Sequence, residues 1–388
     1  MKKSKIVESK EATFYIKGRG IPKGCEYCLQ GAKTVFFING ICQKPDNCCW
    51  YCPLSEERKG KEFSYANEIK ISNVNDLLDE INKTSAKGMS ITGGEPFLER
   101  NLEKTIEVVE NVKLKKGKKF HIHLYTNGIN FNNSIASKLS LAGLDEIRFH
   151  PPIRNWESVK FAIGKGMAVG AEVPVIPDNE HITKLKEFIL YLNDIGAEFI
   201  NLNEFEFSFC NSEALKARGF KLKEASMASV ERSREFALEI LRDLASEVSM
   251  KMHFCTTRAK DYYQLKNRYL RRAKNIRLPL EEITEEGLLL YGEIEANKTL
   301  LEQLFDFLTF NLKIPPRLID FQEKKINLPY YVALMDEVIK FLDINNLECY
   351  VIEALPFRRE IYRHITEKTP IKVFKDELDI DENKKSKI

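Results

Sequence analysis

A chain of 388 residues is long enough to bury at least one large core, and two domains are the natural expectation. Its 60 basic and 57 acidic side chains leave a formal charge of only +3, which argues against a dedicated polyanion binder while neither requiring nor excluding nucleic acid. No stretch is apolar enough for a signal peptide or a membrane span, so the expected compartment is the cytoplasm. There clustered cysteines, such as the six of this chain's nine that fall between 25 and 52, bind metal or do redox work more often than they form disulfides.

Residues 1–32 read as an extension carrying Cys25-x2-Cys28 within GIPKGCEYCLQGAK. From Lys33 onward apolar runs of strand length alternate with amphipathic helical patterns, the sign of a parallel α/β sheet or barrel. Six strands are expected, at 33–41, 88–92, 119–126, 144–150, 167–176 and 198–205. NVNDLLDEINKTSA, NLEKTIEVVENV, SIASKLSLAG, NWESVKFAIGKG and HITKLKEFILYLNDIG supply helices between them. A helical stretch over about 223–247 leads to one more short strand, SMKMHFCT. Right-handed crossovers close such units into a barrel or partial barrel spanning 33–257. Residues 258–388 begin with a basic helix, 261–277, with Tyr262, Leu265, Tyr269 and Ala273 on one face. They continue as strand, helix, strand, helix, strand, a small α+β domain, and end in KDELDIDENKKSKI, read as a frayed tail.

In a parallel barrel, functional groups gather where the strands end. The first strand runs into a loop holding Cys42, Cys48, Cys49 and Cys52. The second ends in TGGEP, Thr92 to Pro96, and the third in YTNG, Tyr125 to Gly128. In this order and spacing the chain resembles the radical S-adenosylmethionine enzymes, and more narrowly the archaeal group related to the pyruvate formate-lyase activating enzyme. The resemblance covers roughly residues 20–275. It implies a partial (β/α)6 barrel of TIM type, here followed by the α+β domain.

The resemblance also implies a 4Fe-4S cluster held by three cysteines, with the fourth iron left open for the amino and carboxylate groups of S-adenosylmethionine. Keeping an aromatic residue and Cys-Pro at the end of the loop assigns Cys42, Cys49 and Cys52. Cys48 is then spare, although a loop in which Cys48 replaces Cys49 stays open. Gly93, Gly94, Glu95 and Pro96 are expected at the methionine end of the cofactor, with the glycines allowing close backbone approach. Thr126 and Asn127 are expected beside the ribose, and Tyr51 beside the adenine. A protein reductant such as ferredoxin or flavodoxin is implied as partner.

Other cysteines support other readings. Cys25-x2-Cys28 and Cys49-x2-Cys52 match a structural zinc ribbon, but a ribbon leaves Cys42, GGEP and YTNG unexplained. Cys25 and Cys28 can instead join Cys255 and His253 of MHFCT in a second site, an iron-sulfur cluster or a zinc. Cys255 alone also reads as a buried thiol. Cys210 and Cys349 read as structural. Glu172, Asn203, Glu204 and Glu206 are candidate groups in the barrel mouth, about half of them facing outward by alternation. His150 reads as a rim residue.

Arg258, Lys260, Lys266, Arg268, Arg271, Arg272 and Lys274 would draw an anionic substrate, or form a solvated face. The expected activity is reductive cleavage of S-adenosylmethionine and hydrogen abstraction from an RNA, a peptide or a metabolite. A glycyl-radical-enzyme activase and a zinc-ribbon binding protein are the alternatives, and no residue is assigned a catalytic role.

Overall fold

The computed structural model describes residues 5–43, 49–357 and 365–385. The chain divides into two compact units, residues 1–265 and 266–388. The first unit opens with β1 (Ile6–Glu8), β2 (Phe14–Ile16), α1 (Lys23–Leu29), β3 (Lys33–Phe37), β4 (Ser64–Ala66) and β5 (Ile69–Ile71). It continues through α2 (Val74–Lys83), β6 (Gly88–Thr92), α3 (Glu99–Lys116), β7 (His121–Thr126), α4 (Asn133–Ala142) and β8 (Glu146–Phe149). Then follow β9 (Ala168–Val175), α5 (Asn179–Asp194), β10 (Phe199–Glu204), α6 (Ser212–Ala217), α7 (Ser233–Leu244) and β11 (Lys251–Cys255).

The strands lie in the order β1-β2-β11-β10-β9-β8-β7-β6-β3-β4-β5. From β11 to β3 every pairing is parallel, so all seven strands expected from the sequence are present in one sheet. The two ends of the run are covered by antiparallel pairs, β2 on β11 and β4 on β3, which leave the barrel partial.

Strand alternation gives the sheet two unlike faces. Ile122, Leu124, Ile147, Phe149, Ile200, Leu202, Met252 and Phe254 are buried in the main apolar core, which also holds buried side chains of α2, α3, α4, α5 and α7. On the other face a hydrogen-bonded chain crosses the strands. Lys33 Nζ lies 2.9 Å from His121 Nδ1, and His121 Nε2 3.4 Å from Glu146. Arg148 donates to Glu146 and Glu172. Asn203 donates to Glu172 at 2.9 Å, Asn201 to Asn203 at 3.2 Å, and the Asn201 amide oxygen lies 2.5 Å from His253 Nδ1.

Helix α1 packs onto this polar face. The Gly24 N–H donates to Glu146 at 3.0 Å, and a Cβ at Gly24 would stand 2.4 Å from both Arg148 and His123, so only glycine lets the helix this close. Arg148 is 1% exposed between two carboxylates. Arg148→Leu would strand both, and should lower the unfolding free energy by about 3–5 kcal/mol in a denaturant titration.

Several expectations change. NWESVKFAI is not an α-helix but 3-10 turns over Ile153–Ala162, with Trp156 packed on Phe188 at a centroid distance of 4.9 Å. The helix expected from 223 begins only at Ser233. The chain before it makes bridges between Leu222 and Val230 and between Glu206 and Ser229, and Arg232 has φ +67°. Glu172 turns to the polar face, Glu204 accepts from the Thr257 N–H at 2.9 Å, and Glu206 pairs with Lys260 at 2.7 Å.

The second unit contains a sheet with β-strands at Glu282–Ile283, Leu289–Glu295, Asp320–Phe321, Lys325–Leu328, Cys349–Ala354 and Ile365–Pro370. Helices at Lys298–Asp306 and Asp336–Ile344 pack on it through Leu301, Leu304, Val338 and Leu342, as an α+β domain requires. Cys349 is a buried core thiol. The tail read as frayed, from Lys375, is helical as far as Lys385, continuing a helix Ile371–Lys385 whose first turn buries Ile371 in this core and packs Phe374 against it. Within the helix Leu265–Ile276, Arg272 is buried, donates to the Pro356 carbonyl and stacks 4.3 Å over Phe357, so it cannot be part of an anion-attracting surface. Among the described residues no helix is long and apolar enough to cross a membrane.

Candidate functional site

The cysteine loop leaves β3 and is fastened at once to the segment leaving β6. Ile38 N–H donates to Thr92 O at 2.9 Å, Gly94 N–H to Asn39 O at 2.7 Å, and Glu95 N–H to Ile41 O at 2.9 Å. The two loops are zipped backbone to backbone beyond the strand ends, directly before Cys42. The glycines of GGEP are needed for this contact within the chain. Gly93 has φ +130° and a Cβ there would lie 2.5 Å from Asn39 O; a Cβ on Gly94 would lie 1.8 Å from Ile41 O. What needs the close approach is the cysteine loop itself. Gly94→Ala should lower stability by about 1–3 kcal/mol and reduce bound iron, read by thermal unfolding and iron assay of one sample.

Two asparagines that the sequence reading missed complete the brace. Asn39 donates to Asn101 at 2.6 Å and accepts from the Ile41 N–H at 3.0 Å, while Asn101 donates to the Glu95 carbonyl at 2.9 Å. Only the Asn-Gly pair after the strand hinted at a special turn there.

The Glu95 side chain is buried and spans two loops. It accepts from Phe97 N–H at 3.0 Å, from the Thr126 hydroxyl at 2.8 Å and from Asn127 N–H at 2.8 Å. Burial raises its pKa to about 7 against the opposing pull of those three donors. Thr126 in turn accepts from Gly128 N–H at 3.0 Å, and the Asn127 side chain accepts from Ile129 N–H at 2.9 Å. Pro96 offers its carbonyl to the Thr105 hydroxyl at 3.1 Å. The residues expected at the methionine and ribose ends are therefore brought together, and the hydrogen bonds of Glu95 and Thr126 brace the loops against each other.

The far end of the cysteine loop is held separately. Asn211 donates to the Tyr51 carbonyl at 3.1 Å, and Trp50 stacks on Phe220 with Arg218 lying 4.2 Å over its ring. Tyr51 stacks on His150, its hydroxyl 2.6 Å from Nε2. Burial raises the phenol pKa, with Cys49 and Cys52 adding to it. Burial, with His181 nearby, lowers His150 to about 4, so its ring is neutral. Cys42 and Cys49 are exposed and Cys52 half-buried, while Cys48 lies outside the described residues. Beside Tyr51 and His150 opens a cavity of about 490 Å³ with Trp156, Pro174, Ile176 and Phe220 in its walls, a size that suits a small-molecule site. Three thiol donors on a loop anchored at both ends, next to an aromatic cavity, suit an iron-sulfur cluster with one open iron.

The second set of cysteines lies elsewhere, on the polar face of the sheet. Cys25 is 3.4 Å from the Arg148 guanidinium and 3.7 Å from the Asn201 amide oxygen that also meets His253. Cys255 packs with Leu29 and Ala259. Burial raises the pKa of the Cys25 and Cys28 thiols, raises that of Cys255 to about 12 and lowers that of His253 to about 3. Among the described residues no group of three or more Cys, His, Asp or Glu stands ready as a coordination set. The zinc-ribbon alternative fails. Between its two Cys pairs runs β3, which pairs in parallel with β6 instead of forming a ribbon hairpin, and one pair sits under the sheet while the other lies at its rim.

A sequence profile of the Radical SAM superfamily matches residues 15–167. A protein of Methanocaldococcus jannaschii, provisionally described as a glycyl-radical enzyme activating enzyme, is 40% identical over 305 residues, covering 75% of this chain and 78% of its own. The 7-carboxy-7-deazaguanine synthase of Aquifex aeolicus is 27% identical over 145 residues, 35% of this chain and 62% of its own. Among solved structures, Streptococcus suis SuiB bound to S-adenosylmethionine aligns at a TM-score of 0.42 and 14% identity, over 66% of this chain and 59% of that one. The chain belongs to the radical S-adenosylmethionine superfamily, and it is an enzyme that uses a 4Fe-4S cluster and S-adenosylmethionine.

Proposed function

We propose that Cys42, Cys49 and Cys52 hold the 4Fe-4S cluster, and that S-adenosylmethionine lies between the braced GGEP and YTNG loops and the cavity beside Tyr51. The observation that carries this reading is the backbone zipper from Asn39 and Ile41 to Gly94 and Glu95, which sets the first cysteine beside GGEP. When bound, the cluster and its cofactor supply an electron and a 5'-deoxyadenosyl radical that takes hydrogen from the substrate. The chain contributes position. Glu95 fixes the distance between the two loops, Asn211 and the Trp50–Phe220 stack fix the end of the cysteine loop, and neutral His150 holds the Tyr51 ring against the cavity wall. An aromatic and apolar wall suits a purine.

Cleavage also needs one electron from an external donor. A ferredoxin- or flavodoxin-like protein is the reductant proposed here. The substrate reading with the most support is a polypeptide glycine, because the relative that aligns with three quarters of this chain at 40% identity is described as a glycyl-radical enzyme activating enzyme. Incubating the reduced enzyme and S-adenosylmethionine with a purified glycyl-radical enzyme polypeptide should yield a glycine-centred doublet by electron paramagnetic resonance. Formation of 5'-deoxyadenosine without that signal on any such polypeptide would leave the cofactor assignment standing and remove the glycyl substrate.

A further inference from the structure

We propose that Cys25, Cys28, His253 and Cys255 form a zinc site that pins α1 to β11 on the polar face of the sheet. Four observations carry it. First, the fold brings an early segment and a late strand together: Leu29 of α1 packs with Cys255 and Ala259. Cys28 follows Cys25 by three positions on α1, one helical turn along the same face.

Second, His253 is held in the tautomer that a metal ligand needs. The Asn201 amide nitrogen donates to Asn203, so its oxygen is what meets His253 Nδ1 at 2.5 Å, and Nδ1 must carry the proton. In metal sites a carbonyl or carboxylate oxygen fixes a ligating imidazole in this way. Third, His253 Nε2 then presents a lone pair with no exposure to solvent, and among the described residues it has no hydrogen-bond partner. A fully buried acceptor without a donor is costly unless something binds it. Cys255, two residues along the same strand, projects to the same face.

Fourth, a hydrogen-bond donor for a metal-bound thiolate is at hand: the Arg148 guanidinium, which also pairs with Glu146 and Glu172, stands 3.4 Å from Cys25. The Cys25 thiol now faces Asn201 and Arg148, and the Cys255 thiol lies 3.5 Å from the Gln264 amide nitrogen. The four groups do not stand as a coordination set as they lie, so closing the site requires these thiols to turn from their present partners toward the metal. Three cysteines and one histidine are a standard zinc set, which favours zinc over a second cluster.

The test is metal analysis of the anaerobically purified full chain, with X-ray absorption at the zinc edge. The expected result is about one zinc per chain beyond the cluster iron, with three sulfurs at about 2.3 Å and one nitrogen at about 2.0 Å. The Cys25→Ser, Cys28→Ser double variant should lose the zinc and keep its iron, and Cys42→Ala should lose iron and keep its zinc. The edge measurement uses wild-type protein, so the test survives a variant that fails to fold. Wild-type protein without stoichiometric zinc, a zinc shell dominated by oxygen, or loss of about four irons from the double variant would each overturn the assignment, the last by showing a second cluster instead.

Discussion

Alanine in place of Cys42, Cys49 or Cys52 is expected to take the bound iron from about four per chain to nearly none, and 5'-deoxyadenosine formation to background. A four-iron cluster with one open iron has three protein ligands, and removing one leaves a second iron without a thiolate. Cys48→Ala is the control. It should retain both iron and activity, because the Cys49–Cys52 turn, with Cys52 N–H on Cys49 O at 3.1 Å, is the part of the loop fastened through Tyr51 to Asn211. If Cys48→Ala loses the iron and Cys49→Ala keeps it, the ligand set is Cys42, Cys48 and Cys52.

Glu95→Gln should separate cofactor binding from cluster assembly. The carboxylate accepts three hydrogen bonds from the chain, and an amide turns one acceptor oxygen into a donor facing another donor. That misfit costs about 1–3 kcal/mol, so S-adenosylmethionine should bind roughly 5- to 150-fold more weakly while iron stays bound. Unchanged affinity would remove Glu95 from the cofactor site. A pH signature accompanies the loss. The folded pKa of about 7 lies above the ordinary 4.5, so between those values the folded chain holds a proton that the unfolded chain has released. Stability from this group is full below about 4.5 and falls as pH rises toward 7. The wild-type minus Glu95→Gln difference in unfolding free energy should slope downward across that window and be flat above it.

The parallel strands were legible because each is a short run of apolar and β-branched residues between helical patterns, and GMSIT, HIHLYT and FINLNE fall where expected. The antiparallel pairs at the sheet ends were not. β1 and β2 are three residues each; β2 owes its place to pairing with β11, more than 230 positions away, as Phe14 faces Phe254, and β1 pairs on β2 alone. No local pattern encodes such a contact. The polar face was hidden for a related reason. Alternation puts His121, His123, Glu146 and Arg148 on the polar side of their strands, and only the fold shows α1 lying over them. Arg272 misled similarly, since a basic residue in a basic helix gives no sign that a carbonyl and a ring await it.

At the site, GGEP and the cysteine loop were recognisable from their order alone. The mechanical roles inside them were not, because the clash of a Gly94 Cβ with Ile41 O and the span of Glu95 from Phe97 to Asn127 exist only once two loops distant in sequence are juxtaposed. The aromatic cavity needed the same juxtaposition, with Tyr51 meeting His150 across 99 positions.

The most direct test of the assignment is product analysis of the anaerobically reconstituted chain, given S-adenosylmethionine and a strong one-electron reductant. The expected products are 5'-deoxyadenosine and methionine in equal amounts, with formation lost in Cys42→Ala and strongly reduced in Glu95→Gln at the same sub-saturating cofactor concentration. Protein that carries about four irons per chain yet forms no 5'-deoxyadenosine, or forms it equally well with Cys42 replaced, would contradict the assignment.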